Sequence, residues 1–205
     1  MLQKDAVLPG TLDLLRRLMQ LNTLKNTYLV GGTALALQLG HRLSIDLDLF
    51  SDELPDKDLF LGELDIYTEQ ISAQAHYYTF LIKNVKVDIL KFPYPLITPM
   101  VVTDQIRMAS LSDIAAMKII SISNRGAKKD FYDLSFLLDQ FSIKEMLELY
   151  ERKTGKEIPF YILRSLVFFE DAEGDADQVM IIRRSWEEVK TIIEQAVTTY
   201  YQNGK

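Results

Sequence analysis

The pattern of apolar and polar positions changes character about halfway along the chain. Residues 11–21 (TLDLLRRLMQL) place leucines on one helical face, which predicts an amphipathic helix with Thr11 as its N-cap. Tyr28 to Val30 reads as a short strand ending at Gly31-Gly32. Strong helix formers then run from Thr33 to Leu39 and stop at Gly40. Ile45 to Phe50 alternates I-D-L-D-L-F, the period-2 pattern of a strand. Residues 57–67 predict a helix, and His76–Ile82 with Val85–Lys91 predict a hairpin around Lys83-Asn84. Beyond Pro93–Pro99, Ile106 to Ala109 predicts one more strand. Helical spacing then takes over at Leu111–Asn124, 130–140, 142–153, 159–170 and 178–201. This order predicts an α+β protein, a small mixed β-sheet with flanking helices followed by a C-terminal helical bundle. The expected domains are residues 1–100 and 101–205, with the boundary near residues 93–110.

Composition narrows the chemistry. The chain has no cysteine, so disulfides, thiolate zinc sites and cysteine nucleophiles are excluded. Its two histidines, His41 and His76, make a histidine-rich metal site or a Ser-His-Asp triad a poor fit. A divalent ion would be oxygen-ligated, which favours Mg²⁺, Mn²⁺ or Ca²⁺. The net charge of −6 and pI of about 5.0 create no global field for nucleic acid, so an RNA substrate would need a local basic patch. No apolar run approaches the roughly 20 residues that span a bilayer, and the N-terminus lacks a signal pattern. The expectation is a cytoplasmic protein without a membrane partner.

The candidate chemistry begins with carboxylates. Asp46 and Asp48 are two apart on a strand and share one face, with Ile45, Leu47 and Leu49 expected on the core side. Neighbouring carboxylates repel unless a cation or proton lies between them. The pair is therefore either a metal site, completed by phosphate oxygens, or the solvated edge of a half-buried strand. Asp88, in V-K-V-D-I-L, shares a face with Lys86 and Leu90. Paired beside Ile45–Phe50 it would be a third carboxylate, enough for two metal ions; otherwise it is a solvated strand aspartate.

Gly31-Gly32-Thr33 falls between strand and helix, where glycine permits close approach of a phosphate and the helix N-terminus offers N–H groups. Arg42 and Ser44, in the following loop, either contact phosphate or pin the loop. Further on, Ile114, Lys118, Ile122 and Arg125 share one stripe of a helix that is apolar nearly all round. A lysine there must meet an anion, either a triphosphate or a carboxylate. Asp130 and Asp133 fall on one face with Leu134 and Leu137. Asp130 either caps its helix or, like Asp133, pairs with Arg125 or Lys118. Arg125, Lys128 and Lys129 form the best local basic patch.

Gly31-Gly32-Thr33-Ala34-Leu35, Arg42-x-Ser44-x-Asp46-x-Asp48-Leu49, Lys118 through Arg125, and Lys129-Asp130-Phe131-Tyr132-Asp133-Leu134 together resemble the AbiEii/AbiGii toxin family of nucleotidyltransferases, a bacterial branch of the DNA polymerase beta superfamily. The resemblance runs through about residues 28–138. It implies transfer of a nucleotide from an NTP to an acceptor hydroxyl with Mg²⁺ (or Mn²⁺) and release of pyrophosphate. It also implies a tRNA 3′ end as acceptor and a cognate antitoxin as partner. Carried over by motif, Gly32 and Thr33 would contact the triphosphate and Asp46 and Asp48 the metal, with Asp88 as a third ligand. Lys118 would meet the nucleotide phosphates, and Asp130 would belong to the active site. Transfer to a protein or small molecule, and an inactive fold that binds nucleotide or a partner, are the alternatives.

Overall fold

The computed structural model describes residues 1–203. The chain forms two compact units, Met1–Tyr94 with Pro99–Ala109, and Pro95–Thr98 with the chain from Ser110 onward. Residues 204–205 of the expected helical domain lie outside the described residues.

The first unit is built on a mixed sheet of seven strands. These are β1 (Tyr28–Leu29), β2 (Leu47–Ser51), β3 (Thr68–Gln74), β4 (Tyr77–Ile82), β5 (Val85–Lys91), β6 (Val101–Thr103) and β7 (Ile106–Met108). They lie in the order β3-β4-β5-β2-β1-β7-β6. β2 runs parallel to β5 and β1 parallel to β7; the other pairs are antiparallel. Lys83 and Asn84 both have positive φ (50° and 63°), the geometry of a two-residue hairpin turn that matches strand twist. Asp104 and Gln105 (51° and 66°) make the same turn between β6 and β7.

Alternation along the central strands decides their faces. Leu47, Leu49, Val87 and Ile89 are fully buried, whereas Asp48 and Asp88 between them are part-exposed. Three helices flank the sheet in this unit: α1 (Pro9–Gln20), α2 (Gly31–Leu39) and α3 (Lys57–Leu64). Helix α1 packs against β7, and α2 against β2. Phe60 of α3 meets Phe80 of β4 at 5.4 Å between ring centroids, both fully buried. Arg107 ties the unit together, donating to the carbonyls of Met19, Leu24 and Thr27 at 3.0, 2.9 and 2.8 Å.

Several boundaries differ from the sequence pattern. Helix α1 starts at Pro9, whose missing N–H suits the first helical position, and Thr11 is buried inside the helix instead of capping it. β2 begins at Leu47, not at residue 45, and Ile45 is 55% exposed instead of core-facing. The residues before Leu47 are claimed by the N-terminal segment: the Ser44 amide donates to the Ala6 carbonyl at 2.8 Å, and Ser44 bridges Val7. β3 is an added edge strand; its sequence TEQISAQ is almost wholly exposed, so no apolar alternation marks it.

The second unit contains α4 (Leu111–Arg125), α5 (Lys128–Leu137), α6 (Ile143–Thr154), α7 (Tyr161–Ser165) and α8 (Trp186–Gln202). Helix α4 packs on α5, α6 and α7, and α5 on α8. The 159–170 segment is only the short α7 followed by a 3-10 turn at Glu170–Ala172. Helix α8 starts at a capping box, where Ser185 and Glu188 exchange bonds, so residues 178–185 stay outside it. No helix among the described residues is long and apolar enough to cross a membrane.

A buried ion pair explains why Pro95–Thr98 belongs with these helices. Lys153 Nζ lies 2.6 Å from Asp113 Oδ1 with both side chains fully buried, and it also donates to the Pro95 carbonyl at 3.0 Å. The Asp113 carboxylate accepts from the Ile97 amide (2.9 Å) and the Ser110 hydroxyl (2.9 Å). Lys153→Ala strands this carboxylate, and we expect it to lower unfolding free energy by about 3–5 kcal/mol, read from urea titration.

Candidate active site

The register of β2 assembles the carboxylates. Asp48 is paired directly with Asp88 across the parallel β2–β5 ladder, and both side chains leave the face opposite Leu47, Leu49, Val87 and Ile89. Asp46 sits immediately before the strand, one alternation from Asp48, and is part-exposed.

The glycine turn comes to the same place from the other side of β2. β1 pairs antiparallel with β2, and the Val30 amide donates to the Asp48 carbonyl at 2.9 Å. The next residue, Gly31, therefore starts α2 over Asp48. Its φ is +66°, and a Cβ on it would lie 2.7 Å from Asp48 Oδ2. Glycine is required twice here, by backbone conformation and by the approach of the carboxylate. Gly32 follows in the first turn, part-exposed.

Thr33, Arg42 and Ser44 are buried. The Thr33 and Ser44 hydroxyls are 2.8 Å apart, and Thr33 also donates to the Asp46 carbonyl. Arg42 donates to the Leu43 carbonyl at 3.1 Å. The Thr33 and Ser44 bonds hold the backbone of Asp46 against α2.

Asp88 is engaged at both oxygens. Thr79, its register partner on β4, donates to Oδ1 at 2.7 Å, and Lys86 Nζ lies 2.6 Å from Oδ2. The hydrogen bond to Asp88 raises the Lys86 pKa above the ordinary lysine value, with Asp48 and Asp46 adding to its field against a desolvation cost. All three aspartates thus act on one ammonium. Among the described residues no three acidic or histidine side chains are grouped closely enough to hold one metal ion. The donor set still suits a hard dication, since Mg²⁺ is commonly held by one or two carboxylates and completes its shell with phosphate oxygens and water. The alternation of β5 puts Lys86 on the face of Asp88 in the sequence itself, whereas Thr79 reaches it only through the β4–β5 register.

In the helical unit, Lys118 meets carboxylates. Its Nζ lies 2.8 Å from Asp130 Oδ1 and 2.5 Å from Asp133 Oδ2, with all three side chains buried. Arg125 Nε bonds Asp130 Oδ2 at 2.7 Å and Nη2 bonds Oδ1 at 3.1 Å, while its side chain stays 56% exposed. Burial pushes the Asp130 carboxyl up, but the Lys118 charge and the Arg125 fork outweigh it and leave its pKa below the ordinary value. Lys128 bonds the Asp175 carbonyl and Asp177 instead of joining this group.

This fold, a mixed sheet with a glycine turn leading to a strand aspartate, is that of nucleotidyltransferases. A putative nucleotidyltransferase from Helicobacter pylori superposes with a TM-score of 0.58 at 18% identity, covering 97% of this chain and 99% of that one. The MenT4 nucleotidyltransferase toxin of Mycobacterium tuberculosis H37Rv gives 0.57 at 14% identity, covering 91% and 81%. In sequence, the uncharacterised protein aq_aa25 of Aquifex aeolicus (strain VF5) is 34% identical over 202 residues, 93% of this chain and 96% of its own. Residues 13–199 match the family described as nucleotidyl transferase AbiEii toxin, type IV TA system. The chain belongs to the AbiEii nucleotidyltransferase toxin family.

Two outcomes follow from this geometry. Gly31→Ala should lose about 1–2 kcal/mol by forcing a Cβ into left-handed backbone against Asp48, whereas Gly62→Ala, with open space in a helix interior, should be neutral or gain up to about 1 kcal/mol. The depressed Asp130 pKa means its stabilising contribution is complete above the unfolded aspartate pKa of about 3.9 and is lost as pH falls through the lower folded value. Asp130→Asn should therefore flatten the decline in stability below about pH 4 in urea titrations across pH.

Proposed function

We propose that the chain transfers a nucleotide from an NTP to the 3′-terminal hydroxyl of tRNA and releases pyrophosphate, acting as the toxin of a cytoplasmic toxin–antitoxin pair. The observation that carries this reading is Asp48, set against Gly31 at the head of α2 and paired in register with Asp88. Family membership supports the transfer class and an antitoxin partner.

In this reading Asp46 and Asp48 hold Mg²⁺, and the bound ion supplies charge that stabilises the phosphates. Gly31 and Gly32 let the triphosphate approach the first turn of α2, where N–H groups lack helical partners. Thr33 and Ser44 keep Asp46 in place through their shared hydrogen bonds. The acceptor hydroxyl loses its proton to solvent water as its oxygen bonds the α-phosphorus; the bond from that phosphorus to the bridging oxygen breaks, and pyrophosphate leaves with the electron pair. On the helical unit, Asp130 fixes Lys118 and Arg125, and Arg125 is the member whose guanidinium reaches solvent and would offer charge to a phosphate.

The test is incubation with each labelled NTP, Mg²⁺, total tRNA and cell lysate. We expect label on tRNA, reduced at least about 100-fold in Asp48→Ala, the scale set by removal of a key electrostatic group. Label on a protein or small molecule would replace the tRNA acceptor but keep the transferase reading. Wild type and Asp48→Ala alike in giving none would overturn it.

A further inference from the structure

Beside the aspartates of the sheet unit stands a charged group that neither the family motifs nor the reading above uses, Lys86. It is not a chance surface lysine. Lys86 and Asp88 are alternate residues of β5 and leave the same face, so the short reach between them needs little ordering of the side chain. The ion pair is tight, at 2.6 Å, with the carboxylate 16% and the lysine 48% exposed. The other Asp88 oxygen is taken by the Thr79 hydroxyl from the opposite strand. Asp88 is thus held from both sides while standing directly beside Asp48.

We propose that Lys86 stands in for a second metal ion: it keeps Asp88 out of the metal ligand set, so that the chain holds a single divalent ion through Asp46 and Asp48. This rests on the assignment of those two aspartates as metal ligands. A dication approaching Asp88 must break a charge-assisted hydrogen bond and is repelled by the ammonium it displaces. The ammonium is a compact point charge with three donors, suited to a phosphate oxygen arriving beside Asp48. Lys86 is a positioning and charge-supplying residue here, and it moves no proton.

Mn²⁺ binding to the full chain tests this, with bound ions counted by electron paramagnetic resonance and the fold of every variant checked by circular dichroism. Wild type and Lys86→Arg, which keeps the charge, should each bind one magnetically isolated ion. Lys86→Met should bind two, with a spin-coupled signal, because Asp88 is released to bridge to a second site. Two coupled ions in wild type, or one isolated ion in folded Lys86→Met, would overturn the role of Lys86 and leave the metal assignment intact. No specific Mn²⁺ binding by folded wild type, or binding undiminished in Asp48→Asn, would overturn the metal assignment itself.

Discussion

Strand β2 is paired on both edges, antiparallel to β1 and parallel to β5, and its side chains alternate between a dry face and a charged one. A slip of one residue in either pairing would send Leu47 and Leu49 outward and bury Asp48 among Val87, Ile89 and their neighbours. Burying a carboxylate without partners is far more costly than misplacing a leucine. The register that keeps the core apolar is therefore the register that sets Asp48 beside Asp88 and beneath Gly31. Stability of the sheet and assembly of the candidate site follow from a single constraint.

The helical unit depends on charge in another way. Two buried lysines, Lys118 and Lys153, are each neutralised by aspartates brought from elsewhere in the chain. Such clusters contribute little net stability compared with apolar packing, but they are strongly directional, and loss of one partner leaves a charge stranded. Asp113 and Lys153 recruit the Pro95–Thr98 segment to the helices. Asp130, gripped by Lys118 and Arg125, sets where an exposed guanidinium sits. One cluster organises the chain path, and the other orders a charged group that reaches solvent.

Family membership gives the transferase class, and the fold neighbours share the architecture, while the side chains around Asp88 show how its carboxylate is held. Thr79 and Lys86 are a strand and a single alternation away from the shared motifs.

Much of this was legible along the chain. Period-2 alternation located β2, the hairpin signal around Lys83-Asn84 located β4 and β5, helix formers between glycines marked α2, and the stripe through Ile114, Lys118 and Ile122 marked a buried helix, because each signal is local in sequence. The acidic pair and the glycine turn were equally local. What sequence could not supply is anything set by partners distant along the chain. The edge strand β3 buries too little to leave a pattern. The start of β2 depends on Ala6 and Val7. That Lys118 meets both Asp130 and Asp133 is decided by the packing of α4 on α5. For Asp88, the residue pattern showed only that it shared a face with Lys86. Pairing with β4 and β2 decided that Thr79 would hold one oxygen and Lys86 the other, with Asp48 alongside, because register is a property of neighbouring strands and not of one.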